Sequence, residues 1–412
     1  MTSTGGSGLA VLRIRDFRLY LAARFLAANA AQMIVIAVGW QVYRMTGRTL
    51  DLGLIGLSQF LPFIVFALYA GHAADRFERR RILILCSVVQ ASCAGLLLAF
   101  TVERLAHTGP IFAVLAMLGV ARAFQMPTAQ SFMPNLVPTE SLPRAIALSS
   151  SSFQVATIAG PSVGGILYSV ALASWPRLGG AAAVYLAATL LLLASLGLLL
   201  RVRSRGQVAA RTTPAGAADA RDLLQGLRFV WRRKTVLGAL SLDLFAVLFG
   251  GATALLPAFT RDVLQAGPAA FGYLRSAPGL GAGITAVALT FAPLRRNVGA
   301  TMFLGVAVFG VSTIVFGLTH RFSVALVALT ALGAGDMISV FIRHVLVQLE
   351  TPDEIRGRVS AVNAMFIGAS NELGEFESGL TAAWLGLVPA IVAGGAATLV
   401  VAALWAWVLF PP

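Results

Sequence analysis

Apolar residues along this chain gather in long runs with few polar interruptions, not in the stripes of soluble amphipathic helices. Twelve runs can be counted, at 18–42, 50–74, 82–102, 110–136, 143–170, 178–200, 235–260, 268–292, 298–319, 322–348, 357–383 and 386–410. Each is near the roughly 20 residues that carry a helix across a hydrocarbon core. Barrel strands alternate apolar and polar positions, and an open sheet would leave backbone groups unbonded in lipid, so the spans are helices. The pattern predicts an all-α membrane protein with twelve transmembrane helices.

Composition agrees with the pattern. Of 412 residues, 58% are hydrophobic and 12% charged, against roughly 25% charged in soluble domains. A net charge of +14 would suggest nucleic acid for a soluble chain, but between spans it reads as loop charge, and no nucleic-acid partner is expected. Arginines collect at 13, 15 and 18, at 76 and 79–81, in the central linker, and at 295 and 296, whereas the alternate loops hold scattered charges such as Arg104, Arg177 and Arg321. That asymmetry predicts both termini in the cytoplasm. Cys86 and Cys93 lie seven residues apart in one run, about 10 Å along a helix and too far for a disulfide. Met1–Gly8 has no signal-peptide layout.

A block is repeated. Leu118–Gly165 lies without a gap on Leu332–Gly379 after a shift of 214 positions, with Gly119/Gly333, Pro138/Pro352, Glu140/Glu354, Arg144/Arg358, Gly160/Gly374 and Gly165/Gly379 among the identities. In each copy the Pro ends one helix, and Thr139 or Asp353 is placed to cap the next. The Glu stands at the positive end of the new helix dipole. Between the copies, Val202–Ala220 is Arg, Ala, Gly, Thr and Pro without periodicity, a linker composition. After it, Leu223, Leu224, Leu227, Val230 and Trp231 share one helical face ringed by arginines, which fits a helix in the membrane interface or a plain helix stub. The domains expected are a six-helix bundle at 1–201, a cytoplasmic linker at 202–221, an interface helix at 222–234 and a second six-helix bundle at 235–412.

Ionisable residues inside spans are costly and face protein or water rather than lipid. They fall on every third helix: Arg24 in span 1, Arg122 in span 4, Asp243 in span 7, and Asp336, Arg343 and His344 in span 10. A duplicated three-helix element whose first helix faces a polar path gives this phase. Arg122 and Asp336 hold equivalent positions of the repeat, either as a pair closing across that path or as one substrate group each; a buried structural ion pair is the plainer alternative. Asp243 could neutralise Arg343 or Arg24. Glu372 and Glu375 stand one turn apart on span 11, and two carboxylates that close in low dielectric rarely both ionise. Asp336, Glu372, Glu375 and Asp243 are thus candidates for proton coupling, with Arg24, Arg122, Arg343, Gln125 and Asn29 as substrate contacts. Glu377 reads as wet beyond an early end of span 11, and Arg275 as a snorkelling or paired structural residue.

Gly71-His72-Ala73-Ala74-Asp75-Arg76-Phe77-Glu78-Arg79-Arg80-Arg81 resembles the signature loop of the major facilitator superfamily, G-x-x-x-D-R-x-G-R-[KR]-[KR], with Glu78 where many members have Gly. The resemblance implies a gating loop, in which Gly71 permits close helix approach, Asp75 faces a neighbouring helix terminus, and Arg76, Arg79 and Arg80 hold the cytoplasmic side. The later copy near Arg295 and Arg296 is degenerate. Gly160-Pro161-Ser162-Val163-Gly164-Gly165 is similar to the G-P-x-x-G-G element of drug/proton antiporters, a packing face of small residues being the alternative. With Leu142–Gln154 and the 222–234 helix, the chain resembles the branch containing enterobactin-type siderophore exporters and macrolide or multidrug efflux proteins.

The resemblance implies two pseudo-symmetric six-helix bundles and a secondary transporter of the bacterial inner membrane. It would export a small organic molecule, siderophore or drug-like, against protons by alternating access. Uptake, proton-independent diffusion and a transporter-like sensor are the other readings. No Walker loop, H-E-x-x-H or G-x-S-x-G motif is present, so no enzyme activity, metal or cofactor is expected. The partners implied are the substrate, protons and the bilayer, with the chain a monomer.

Overall fold

A computed structural model of the chain describes residues 8–174, 179–204, 225, 227–291, 297–352 and 355–409, with the side chains of 8–10, 68, 72, 74, 75, 356–358, 360, 361, 364, 408 and 409 set aside. Twelve long helices follow in order: α1 Arg15–Thr46, α2 Thr49–Arg76, α3 Arg79–Val102, α4 Gly109–Phe132, α5 Leu142–Ser174, α6 Gly180–Arg201, α7 Lys234–Phe249, α8 Pro268–Phe291, α9 Val298–Leu318, α10 Phe322–Glu350, α11 Arg356–Leu385 and α12 Leu387–Leu409. No strand occurs among the described residues. Among the described residues, ten helical segments are long and apolar enough to cross a membrane; α8 and the acid-bearing α11 fall outside that criterion. Large apolar side chains such as Ile284 (65% exposed) and Leu349 (81%) stand exposed, as expected of helices that meet lipid.

The chain divides into two units. Unit 1 is Met1–Gln41 with Ser58–Thr213, and unit 2 is Val42–Leu57 with Pro214–Pro412. In unit 1, α3 packs on α4 and α6, and α5 packs on α6; in unit 2, α9 packs on α10 and α12, and α11 on α12. The neighbours correspond, as a duplication requires.

Glycines set the crossings. A Cβ on Gly160 of α5 would stand 2.6 Å from Gln32 Cβ of α1, and one on Gly374 of α11 would stand 2.8 Å from the Val247 carbonyl of α7. Gly119 of α4 meets the Gln59 carbonyl of α2, and Gly333 of α10 meets the Pro278 carbonyl of α8. Both pairs are identities of the repeated block, and each marks the same crossing in its own unit. Backbones approach this closely only where no side chain intervenes.

Span 7, read from sequence as continuous to 260, is broken. α7 stops at Phe249, and the chain goes on through a 3-10 turn at Ala252–Leu255, a turn of α-helix at Leu256–Ala258 and a π-helical turn at Phe259–Val263. The break falls at Gly250-Gly251, where a side chain would run into the Phe309 ring or into Gly374. Other readings change too. Thr139 opens a 3-10 turn, Thr139–Ser141, instead of capping α5. Asp353 lies outside the described residues. Span 11 does not end early: α11 reaches Leu385, and half-buried Glu377 accepts a hydrogen bond from Thr381 Oγ1 at 2.6 Å.

Most of the linker, and Asp222, Leu223, Leu224 and Gly226 of the 222–234 stretch, lie outside the described residues. Of the rest, Val230 is fully buried against Val236, Leu240, Val347, Val359 and Val362, while Trp231 is 73% exposed.

Candidate functional site

In unit 2 the charges converge on one place. Asp243 of α7 and Arg343 of α10 form an ion pair, with 5% and 2% of their side chains exposed. Arg343 Nη1 makes the contact, and its Nε is buried without a hydrogen-bond partner. Asp336, two turns back on α10, lines the same small cavity as Asp243, together with Ala246, Val247, Val306, Phe309, Gly335 and Ser339. The cavity holds about 10 Å³, close to what one water needs. α9 and α10 pinch it, because Gly305 and Gly335 bring their backbones together. Two carboxylates and one guanidinium therefore share a desolvated corner. Asp336 makes no ion pair among the described residues.

Glu375 stands apart from that corner in its pairing. Its Oε1 lies 3.6 Å from Arg275 Nη2 of α8, with side chains 25% and 24% exposed. Of the two structural roles the sequence offered Arg275, snorkelling and pairing, it takes the second. Glu372 is half-buried one turn earlier on α11.

Unit 1 holds the other candidates. Arg24 of α1 donates from Nη1 to Ser149 Oγ of α5 at 3.1 Å and lies over the Tyr20 ring, 5.8 Å from its centroid. Arg122 of α4 is exposed and lies over the Phe63 ring of α2 at 5.6 Å. Gln125 accepts a 3.0 Å hydrogen bond from Gln90 of α3, and Asn29 donates to the Phe25 carbonyl of its own helix at 2.9 Å. Ser149 and Gln90 escape a reading based on charge, because neutral polar residues in helices carry no obligatory partner.

At the signature loop, Arg79 donates to Asn135 Oδ1 at 3.1 Å and Arg80 to the Leu200 carbonyl at 2.7 Å. Glu78 takes the Arg81 side chain at 2.8 Å, a local use for the residue that replaces Gly. Arg76 is exposed and the Asp75 side chain lies outside the described residues. Gly71 does not mediate close approach within unit 1, since a Cβ there would meet nothing within 4 Å. Gly160, Pro161, Gly164 and Gly165 are buried on α5, and Gly160 and Gly164 press on α1.

Comparison with known proteins supplies the family. The model of the transmembrane secretion effectors, a branch of the major facilitator superfamily, matches residues 6–412. The chain belongs to this family. Its members are membrane transporters and not enzymes. The chain is 26% identical over 394 residues to the multidrug efflux pump Tap of Mycobacterium tuberculosis, covering 92% of this chain and 91% of Tap. It is 26% identical over 354 residues to the enterobactin exporter EntS of Escherichia coli, covering 84% and 80%. Among solved structures, a bacterial homologue of the human lysosomal transporter Spinster, inward-facing and occupied, superposes with a TM-score of 0.75 at 14% identity over 95% of this chain and 96% of that one. A bacterial homologue of the iron transporter ferroportin gives 0.70 at 16% over 96% and 98%. These structures share the family's fold: two pseudo-symmetric sets of six helices.

Proposed function

We propose that this transporter exports a small organic molecule, drug-like or siderophore-like, from the bacterial cytoplasm across the inner membrane in exchange for protons. Both termini are cytoplasmic and the working unit is a monomer. The relatives Tap and EntS, named as an efflux pump and an exporter, support the direction. The arginine-rich loops support the orientation.

The observation that carries proton coupling is the corner formed by Asp243, Arg343 and Asp336. Arg343 matches the charge of Asp243, and Arg275 matches that of Glu375. Asp336 is the carboxylate left over, beside a cavity that admits about one water. α9, packed against α10, carries no charged residue. Binding a proton at Asp336 balances the corner; releasing it leaves two carboxylates competing for one guanidinium. Such a competition has two discrete arrangements, which is what alternating access needs to sense a proton. Glu372 stays a second candidate.

The test uses inverted vesicles bearing the full chain and a panel of fluorescent drugs. Asp336→Asn should insert normally and move no panel compound in response to a pH gradient, while equilibrium exchange persists. Transport by Asp336→Asn with unchanged pH dependence removes Asp336 from the mechanism. A wild-type protein that moves compounds equally with and without a gradient favours facilitated diffusion.

A further inference from the structure

The hairpin of α9 and α10 opens a groove near its loop. Gly305 and Gly335 bring the two backbones together thirteen residues from either end of that loop, about 20 Å from it. Between crossing and loop, Val311 and Val315 of α9 and Val324 and Val327 of α10 stand exposed as walls. Small side chains at Ser312, Ala328 and Ala331 leave a space of about 400 Å³ between them, within the roughly 300–1,000 Å³ of ligand pockets. The other flank of α9 is taken by α12, where Gly310 and Gly317 lie against Leu399 and Ile391. From the start of α10 to Ala331 the groove runs nine residues, about 14 Å. That is close to half of a roughly 30 Å hydrocarbon core, the depth of one leaflet.

Polar groups follow one another along the groove. Ser312 lies six residues before the end of α9, about 9 Å down, and is only 7% exposed. Its neighbour Thr313 donates back to the Phe309 carbonyl at 2.9 Å. Ser312 lines the groove and forms no hydrogen bond among the described residues. A hydroxyl buried among apolar groups without a partner is costly, so Ser312 calls for an acceptor that an occupant brings. Ser323 lines the mouth, and above it stand exposed His320 and Arg321 of the loop. The Arg321 side chain makes no ion pair or hydrogen bond among the described residues; only its backbone N–H is used, donating to Thr319 Oγ1 at 3.1 Å. α9 and α12 contain no acid, and the first in α10 is Asp336, fourteen residues from its start.

We infer that this groove holds one acyl chain of a glycerophospholipid whose headgroup carries a net negative charge. The phosphate meets the Arg321 guanidinium, where charge-assisted and bidentate bonds form. An ester carbonyl accepts from Ser312 Oγ, and the chain runs between the valines to Ala331, burying its methylenes. Cation, hydroxyl and apolar channel thus stand in the order of phosphate, ester and chain. A zwitterionic headgroup would set a second cation beside Arg321, which selects against it. A small free anion would leave the channel empty, and a wholly apolar molecule would leave Arg321 and Ser312 unanswered. The site is independent of what the transporter exports and of what drives it.

Native mass spectrometry tests this on the full chain, released from nanodiscs of equal parts dioleoylphosphatidylglycerol and dioleoylphosphatidylcholine. The lipid that wild type retains last should be phosphatidylglycerol, favoured about tenfold or more. Arg321→Gln should remove the preference, whereas Arg48→Gln, which strips an exposed charge that does not line the groove, should keep it. Ser312→Ala should weaken retention about threefold, and Ala328→Phe should fill the groove and release both lipids. Glycerol 3-phosphate alone should stabilise the protein against heat far less than phosphatidylglycerol does. Should Ala328→Phe fail to fold, the exposed Arg321→Gln decides. Equal retention of the two lipids by wild type overturns the inference, as does a preference that survives Arg321→Gln or is lost equally in Arg48→Gln. Stabilisation by glycerol 3-phosphate as strong as by the lipid also overturns it. So does a lipid-free dimer that Ala328→Phe separates, since the groove then belongs to a second copy of the chain.

Discussion

Arg343 and Asp243 neutralise each other in the interior of unit 2, one on α10 and one on α7. Neither helix end nor solvent shares their charge. Removing one partner strands the other in low dielectric, at a cost of about 3–5 kcal/mol. Asp243→Asn or Arg343→Met alone should therefore lower the melting temperature in detergent sharply, and the double variant should recover most of the loss. Simple additivity of the two losses would show that the pair is not a unit.

The crossing at Gly160 and its counterpart at Gly374 should respond alike. Leu at either position must push α5 off α1, or α11 off α7, which should cost about 1–3 kcal/mol or more by overpacking. Gly71→Ala meets open space and should stay within about 0.5 kcal/mol of wild type. Thermal unfolding of the three variants side by side checks this; a neutral Gly160→Leu contradicts the close crossing.

Tyr43 Oη donates to Asp262 Oδ2, and the Arg261 guanidinium lies over the Tyr43 ring at 5.5 Å. Both partners belong to unit 2, where the 42–57 segment meets the π-helical turn. Tyr43→Phe and Asp262→Asn should each cost no more than about 2 kcal/mol, because Asp262 is partly exposed. A double-mutant cycle should give a coupling of about 0.5 kcal/mol or more. Zero coupling would mean the bond does not hold the segment.

Glu78→Gly restores the residue usual in the signature loop. Arg81, its partner, has 81% of its side chain exposed, and exposed pairs contribute little. Stability and export should both stay near wild type, as judged by melting and by accumulation of a panel drug in cells. A large loss would give the pair a role in gating that its exposure does not suggest.

Much of this protein was legible before any fold was known. Apolar run length fixed the twelve helices, because lipid offers backbone groups no other partner. The shift of 214 positions foretold which glycines would mark equivalent crossings. Ionisable residues in spans named the places worth looking, because such groups persist there only for a reason.

Partnerships were another matter. Sequence left Asp243 facing either Arg24 or Arg343, and only packing of α7 on α10 chose Arg343. Likewise α8 and α11 had to meet before Arg275 could take Glu375, and α1 and α5 before Arg24 could find Ser149. The break of span 7 falls at Gly250 and Gly251, where Phe309 and Gly374, residues far along the chain, fill the space beside the backbone. Local sequence dictates what a helix can be and which groups it must not leave in lipid. Which group answers which depends on contacts between helices distant in sequence, and those exist only once the units have packed.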